Sequence, residues 1–241
     1  MNFERRTCLV TGAAAGLGEA IATRFLKGGG TVLACDRDDA ALKDFVARHS
    51  EDAARIHTFT CDVTDEQSVA TLKRNVEEKF KVDVLVNNAG YYLRKEIHDI
   101  TRAEWDRVFD VNVWGVFLMI RAFMDGMAER HYGRVVNIAS NDAYVAKPYN
   151  AHYGASKAAV VSLTRSFAAK LVRSGVLVNG VSPGPISTDT ARSQGWLEKR
   201  SAEIPVGRAA RPEEMAQYVA FLASEDNTYM SGEMIIANGG V

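Results

Sequence analysis

Apolar positions along the chain fall into two alternating patterns. Short runs rich in β-branched residues, at 7–10, 31–35, 56–61, 82–86, 133–139 and 176–181, read as strands, with a last short one at 234–237. Between them lie longer stretches in which apolar residues recur every three or four positions, the period of a helix with one buried face. Residues 16–27 place Leu17, Ala20, Ile21 and Phe25 on one face, and Gly28-Gly29-Gly30 ends that helix. Further helices are expected at 38–49, 65–80 and 152–172. Another begins at the capping box formed by Thr101 and Glu104 and runs to about residue 128, and a late one opens with Pro212 in its first turn. Residues 183–205 read as irregular with some helix. Strand, helix, strand in repetition predicts an α/β fold: one doubly wound parallel sheet of the Rossmann type with helices on both faces. Strands that are apolar throughout fit a sheet covered on both sides. No repeat, low-complexity tract or linker divides the sequence, so 1–241 reads as a single dinucleotide-binding and catalytic domain.

Composition narrows the function. The 241 residues are 47% hydrophobic and carry a net charge of −1, with no basic run interleaved with aromatics. This argues against a nucleic-acid groove or an anionic membrane partner. Cys8, Cys35 and Cys61 are far apart and form no CxxC pair, the pattern of buried thiols in a reducing compartment. The five histidines lack metal-binding spacing, and no metal is expected. Residues 1–6 hold no apolar signal core, which favours the cytoplasm.

A strand-to-helix junction carries the first candidate chemistry. Gly12, Gly16 and Gly18, with Leu17 between the last two, follow the first strand directly. Gly12 permits a sharp turn, Gly16 lets backbone approach a pyrophosphate, and Gly18 lets the helix pack near the sheet. The free amides of the helix start then face the phosphates. The spacing is GxxxGxG, not the commoner GxGxxG. Asp36, at the end of the second strand, can accept hydrogen bonds from the adenosine ribose and would repel a 2′-phosphate, which favours NAD. Arg37 beside it keeps NADP open, and Asp36 can also act as a helix N-cap.

The second candidate is a pair. Tyr153 and Lys157 lie four positions apart on an expected helix and share a face. A free tyrosine has a pKa near ~10, too high for a base at neutral pH. A neighbouring ammonium and the positive ring of an oxidised nicotinamide would both lower it. Ser140 follows the fifth strand, at the carboxyl end where such sheets place active residues.

These motifs, with Asn87-Asn88-Ala89-Gly90, Tyr153-Gly-Ala-Ser-Lys157 and Pro183-Gly184, occur in order across the whole chain. Together they resemble the short-chain dehydrogenase/reductase family. The resemblance implies reversible hydride transfer between a nicotinamide and a secondary alcohol or ketone, with Tyr153 as acid/base and Ser140 holding the substrate oxygen. It implies that Asn112 holds a water linking Lys157 to solvent, and that Lys157 also binds the nicotinamide ribose. It places Asp62 and Val63 at the adenine, Asn88, Ala89 and Gly90 along the adenosine, and Pro183, Gly184, Ile186 and Thr188 at the carboxamide. Thr188 can equally cap the helix that follows.

The substrate pocket is expected from Tyr92, Asn141, Asp142, Tyr144, Lys147, Tyr149, His152, Arg192 and Trp196, a mixture that points to a polar or sugar-like alcohol of small to medium size. Small residues along the helix bearing Tyr153 point to a homo-oligomer, a dimer or tetramer. Asn238-Gly239-Gly240 stands where the family often has Asp-Gly-Gly, and is expected far from the chemistry. A lyase or isomerase on the same scaffold, and a non-catalytic NAD sensor, remain as alternatives. Enoyl reduction is a narrower rival, whose tyrosine and lysine are usually spaced more widely.

Overall fold

The computed structural model describes residues 1–193 and 195–241. Seven parallel strands form one sheet: β1 (Thr7–Thr11), β2 (Thr31–Asp36), β3 (Ile56–Thr60), β4 (Val84–Asn87), β5 (Gly133–Ile138), β6 (Val176–Pro183) and β7 (Met234–Ala237). Their order is β3-β2-β1-β4-β5-β6-β7. The helices are α1 (Gly16–Lys27), α2 (Asp39–Arg48), α3 (Glu66–Glu77), α4 (Arg102–Phe109), α5 (Gly115–Glu129), α6 (Ala151–Leu171), α7 (Asp189–Ser193), α8 (Leu197–Ser201) and α9 (Pro212–Ala223).

Alternation along each strand divides the core in two. Cys8 and Val10 of β1 face one side with Ile21, Phe25 and Val219 of α1 and α9. Leu9 between them faces the other side with Leu72, Met119 and Val160 of α3, α5 and α6. Burial on both faces is what the uniformly apolar strands predict. All three cysteines are buried and free.

Local signals act as expected. Thr101 Oγ1 accepts the Glu104 amide at 3.3 Å while Glu104 Oε2 accepts the Thr101 amide at 2.9 Å, a complete capping box. Asp38 and Asp65 cap α2 and α3. One expectation changes: the long middle helix is α4 and α5 joined by a π-helical turn at Asp110–Trp114. That wider turn carries Asn112, which is buried. Single π turns inside helices often mark functional sites.

From β1 the chain winds outward to β3, then returns with β4 on the other side of β1. A crevice opens at such a reversal, beyond the carboxyl ends of the strands.

Candidate active site

The crevice has two lobes that share Gly90 and Tyr91 in their walls. The smaller, about 180 Å³, is lined by Gly12, Asp36, Arg37, Asp62, Val63 and Ala89, among others. The larger, about 530 Å³, holds Ser140, Tyr153 and Lys157 beside Pro183, Gly184, Ile186 and Thr188.

The glycine loop is built by close approach. Gly12 turns with φ +63, and a Cβ there would meet Ala89 Cα at 3.0 Å. A Cβ on Gly18 would sit 1.9 Å from the Gly12 carbonyl oxygen, so only glycine lets α1 start this near the loop. The Asn88 amide fixes the loop, donating to the carbonyls of Thr11 (2.9 Å) and Gly12 (3.0 Å). Asn88 therefore holds the loop, while Ala89 and Gly90 line the smaller lobe. Asp36 accepts backbone amides of Ala14 (3.3 Å) and Asp38 (3.2 Å), which orients its carboxylate at that lobe. Asp62 closes its own turn, accepting from the amide and hydroxyl of Thr64. Two joined lobes, a glycine-lined floor with free helix amides and a carboxylate at one end fit a dinucleotide. The adenosine would lie against Asp36, Asp62 and Val63, the pyrophosphate against the loop, and the nicotinamide against Pro183 to Thr188.

Lys157 is buried on α6, and Nζ donates to the Ile138 carbonyl at 2.9 Å, 5.7 Å from the Tyr153 ring centre. Burial lowers its pKa to about 8. Tyr153 departs from expectation. Its pKa is raised, because burial penalises the phenolate and the Asp142 charge adds to this, against an opposing hydrogen bond from Ser140. Burial thus favours the protonated phenol, and the positive ring of a bound oxidised nicotinamide would favour the phenolate.

Ser140 Oγ accepts the Asp142 amide at 3.1 Å, so it caps the turn at 141–143, and its own hydrogen bond goes to Tyr153. Asn112 is fully engaged on its nitrogen side: Nδ2 donates to Tyr91 O and Ser156 Oγ, both at 3.0 Å, while Oδ1 accepts Tyr91 N at 2.7 Å. Only Oδ1 retains a lone pair for a water. Thr188 Oγ1 accepts the Ala191 amide, capping α7, and Thr188 also lines the larger lobe.

The pocket residues divide. Tyr92, Asn141, Asp142, Lys147, Tyr149 and Trp196 line the larger lobe. Tyr92 packs edge-on against Tyr153, with ring centres 4.9 Å apart, and lies 6.1 Å from Trp196. Asp142 accepts Lys147 Nζ at 2.6 Å and Asn150 Nδ2 at 3.1 Å. Tyr144 and Arg192 lie outside. Tyr144 lines a separate surface groove, and Arg192 is exposed and bound to Ser187 and Asp189. His152 is wholly buried away from the lobe, because its neighbour Tyr153 takes the face turned to the crevice. Asn238 is not remote: Nδ2 donates to Asn141 Oδ1 at 2.8 Å, one residue from Ser140. Arg94, Asn150 and Arg200 also line the larger lobe; they fall in the segments after Gly90, after Ser140 and around Thr190 to Ile204, where lining is expected, but the sequence does not single these three out. Nothing local marks them, since loops and tertiary packing bring them there.

The comparisons agree with this architecture. Residues 12–241 match the family model described as enoyl-(acyl carrier protein) reductase. The chain belongs to the short-chain dehydrogenase/reductase family of oxidoreductases, whose members bind a nicotinamide cofactor. It is 33% identical to a 3-oxoacyl-[acyl-carrier-protein] reductase of Thermotoga maritima, covering 100% of this chain and 99% of that one. It is 36% identical to 2-(S)-hydroxypropyl-CoM dehydrogenase 3 of Xanthobacter autotrophicus, covering 100% and 98%. Among solved structures it is similar to one from Beutenbergia cavernae described as a candidate NAD(P)-dependent gluconate 5-dehydrogenase, with NADP bound at low occupancy. There the TM-score is 0.93 and the identity 34%, over 99% of this chain and 97% of the other. No helix among the described residues is long and apolar enough to cross a membrane.

Proposed function

We propose that the chain is an NAD-dependent dehydrogenase/reductase acting on a secondary alcohol or ketone of small to medium size. The observation that carries this reading is the grouping of Ser140, Tyr153 and Lys157 on one wall of a cavity that joins a dinucleotide-shaped lobe. The nicotinamide, when bound, accepts or gives the hydride. Ser140 donates a hydrogen bond to the substrate oxygen and holds it against Tyr153. Tyr153 takes the hydroxyl proton in oxidation and returns it in reduction. Lys157 binds the ribose and, through Asn112 Oδ1 and water, passes the proton to solvent. Asp36 supports NAD over NADP by repelling a 2′-phosphate, although the Beutenbergia cavernae structure, described as NAD(P)-dependent, keeps Arg37 in play. Small residues on α6 support a homo-oligomer.

The test is formation of reduced nicotinamide, by absorbance, with NAD and separately NADP, over polyols, sugars, hydroxy acids and aryl alcohols. Turnover with NAD, lowered by about 10²–10⁴ in Tyr153→Phe with cofactor binding kept, supports the reading. A Tyr153→Phe variant with normal turnover sinks it. A second reading comes from the Thermotoga maritima relative: reduction of a 3-oxoacyl thioester. Adding such thioesters with reduced cofactor separates the two. Enoyl thioesters in the same assay test the activity named by the family model.

A further inference from the structure

Charge in the larger lobe is unevenly distributed. Its described lining includes Arg94, Lys147, Lys157 and Arg200 but a single carboxylate, Asp142. Asp142 is taken by Lys147 at 2.6 Å, with both side chains largely buried, so that pair cancels itself. Lys157 is held against Ile138 at the chemical end. The two arginines are left.

Arg94 makes no hydrogen bond or ion pair among the described residues. Its guanidinium lies over the Tyr149 ring, 4.1 Å from the centre. The backbone there is also fixed, since Lys95 N donates to the Tyr149 carbonyl at 2.9 Å. Stacking and backbone pinning hold this cation in place without neutralising it, leaving the edge of its fork to a ligand. Arg200 follows Trp196 by one helical turn, its amide donating to the Trp196 carbonyl at 3.1 Å. The two side chains therefore share a face of α8. Arg200 uses Nη1 on Glu203 at 2.6 Å, and its other nitrogens have no partner among the described residues. Trp196 in turn faces Tyr92, and Arg94 is two residues beyond Tyr92. The Tyr92–Trp196 wall, which meets Tyr153 at its inner end, thus carries an arginine on the segment supplying each ring.

We propose that Arg94 and Arg200 form an anion site for the substrate, and that the enzyme selects an alcohol or ketone bearing a carboxylate: a hydroxy acid or its oxo acid. This rests on the hydride-transfer reading above and adds the group that reading leaves open. A planar guanidinium fork matches a carboxylate in bidentate fashion. The nicotinamide would occupy the end of the lobe near Pro183 and Thr188, so the acid in the remaining space is short.

The test compares 3-hydroxybutanoate, 4-hydroxypentanoate and 5-hydroxyhexanoate with their methyl esters, as racemates with NAD, in kcat/KM. At least one acid should exceed its ester by about tenfold or more, the scale of a charge-assisted hydrogen bond. That ratio should fall towards unity in Arg94→Gln and in Arg200→Gln, and be partly kept in Arg94→Lys. Matched melting temperatures would show that the substitutions leave the fold intact. Esters that equal or beat acids at every chain length would overturn the anion site while leaving hydride transfer standing. So would an acid preference that survives both glutamine variants. Silence with every alcohol, charged or neutral, would overturn the hydride-transfer reading and this inference with it.

Discussion

The side-chain amide of Asn238 donates to Oδ1 of Asn141 across 2.8 Å, joining residues 97 positions apart. Asn141 is buried, and its own Nδ2 has no protein partner. Removing Asn238 would orphan both ends of that amide. Asn238→Ala should lose about 1–3 kcal/mol in chemical denaturation, the cost of a buried polar group left unpaired. It should also lower turnover, because Ser140 adjoins Asn141. Asn238→Asp should keep most of the stability, since a carboxylate can accept from Asn141 Nδ2 once that amide turns over.

Lys157 gives the protein a basic-side stability gradient. Its folded pKa of about 8 lies below the ordinary value of 10.5. As pH falls through that interval the unfolded chain takes up a proton that the folded chain refuses, so stability falls. As pH rises from 8 towards 10 it recovers. Across the whole shift the effect is about 3 kcal/mol. Tyr153, shifted upward, acts in the opposite sense above pH 10. Denaturation of cofactor-free wild type and Lys157→Met between pH 7 and 10 should show the wild type gaining on the variant as pH rises. Parallel curves would contradict the depressed pKa.

Asp36 should set the choice of cofactor. In Asp36→Ala the carboxylate lining the smaller lobe is gone and the Arg37 side chain remains. The ratio of NADP to NAD in kcat/KM should rise by about tenfold, equivalent to ~1.4 kcal/mol of relative binding. An unchanged ratio would mean that Asp36 serves only to hold the amides of Ala14 and Asp38.

His152 lies beside Tyr153 in sequence but in the core, with neither ring nitrogen partnered. Burial lowers its pKa; Glu104 raises it and Lys95 lowers it by smaller amounts. Below the ordinary value of 6.5 the unfolded chain protonates first, so stability drains away as pH falls. His152→Leu should be at least as stable as wild type at pH 7, because it removes two unpaired polar atoms. It should also flatten the loss as pH falls below 6.5. A steeper acid limb in the variant would refute this.

Much of this molecule can be read from local pattern. The strands are β-branched runs, and the capping box at Thr101 and the glycine loop each work through neighbours a few positions away. Tyr153 and Lys157 are brought together by one turn of helix. What escaped depends on the rest of the fold. The π turn around Asn112 has no composition of its own. Arg94 and Arg200 look like any surface arginines until Tyr149 and Glu203 orient them. The raised pKa of Tyr153 follows from burial, which the four-residue spacing cannot report.

The strand order bears on how the chain reaches this state. Each strand pairs in parallel, so no two neighbours can be joined by a tight hairpin. Thr7 faces Thr31, 24 positions on, and Cys8 faces Val84, 76 positions on. The β1–β4 seam that opens the crevice thus spans the longest loop in the sheet and carries the greatest closure entropy. Contacts of such long sequence separation slow folding and leave strand edges open to aggregation while they form. The same reversal that makes room for a cofactor makes refolding of this chain slow for its size and sensitive to protein concentration.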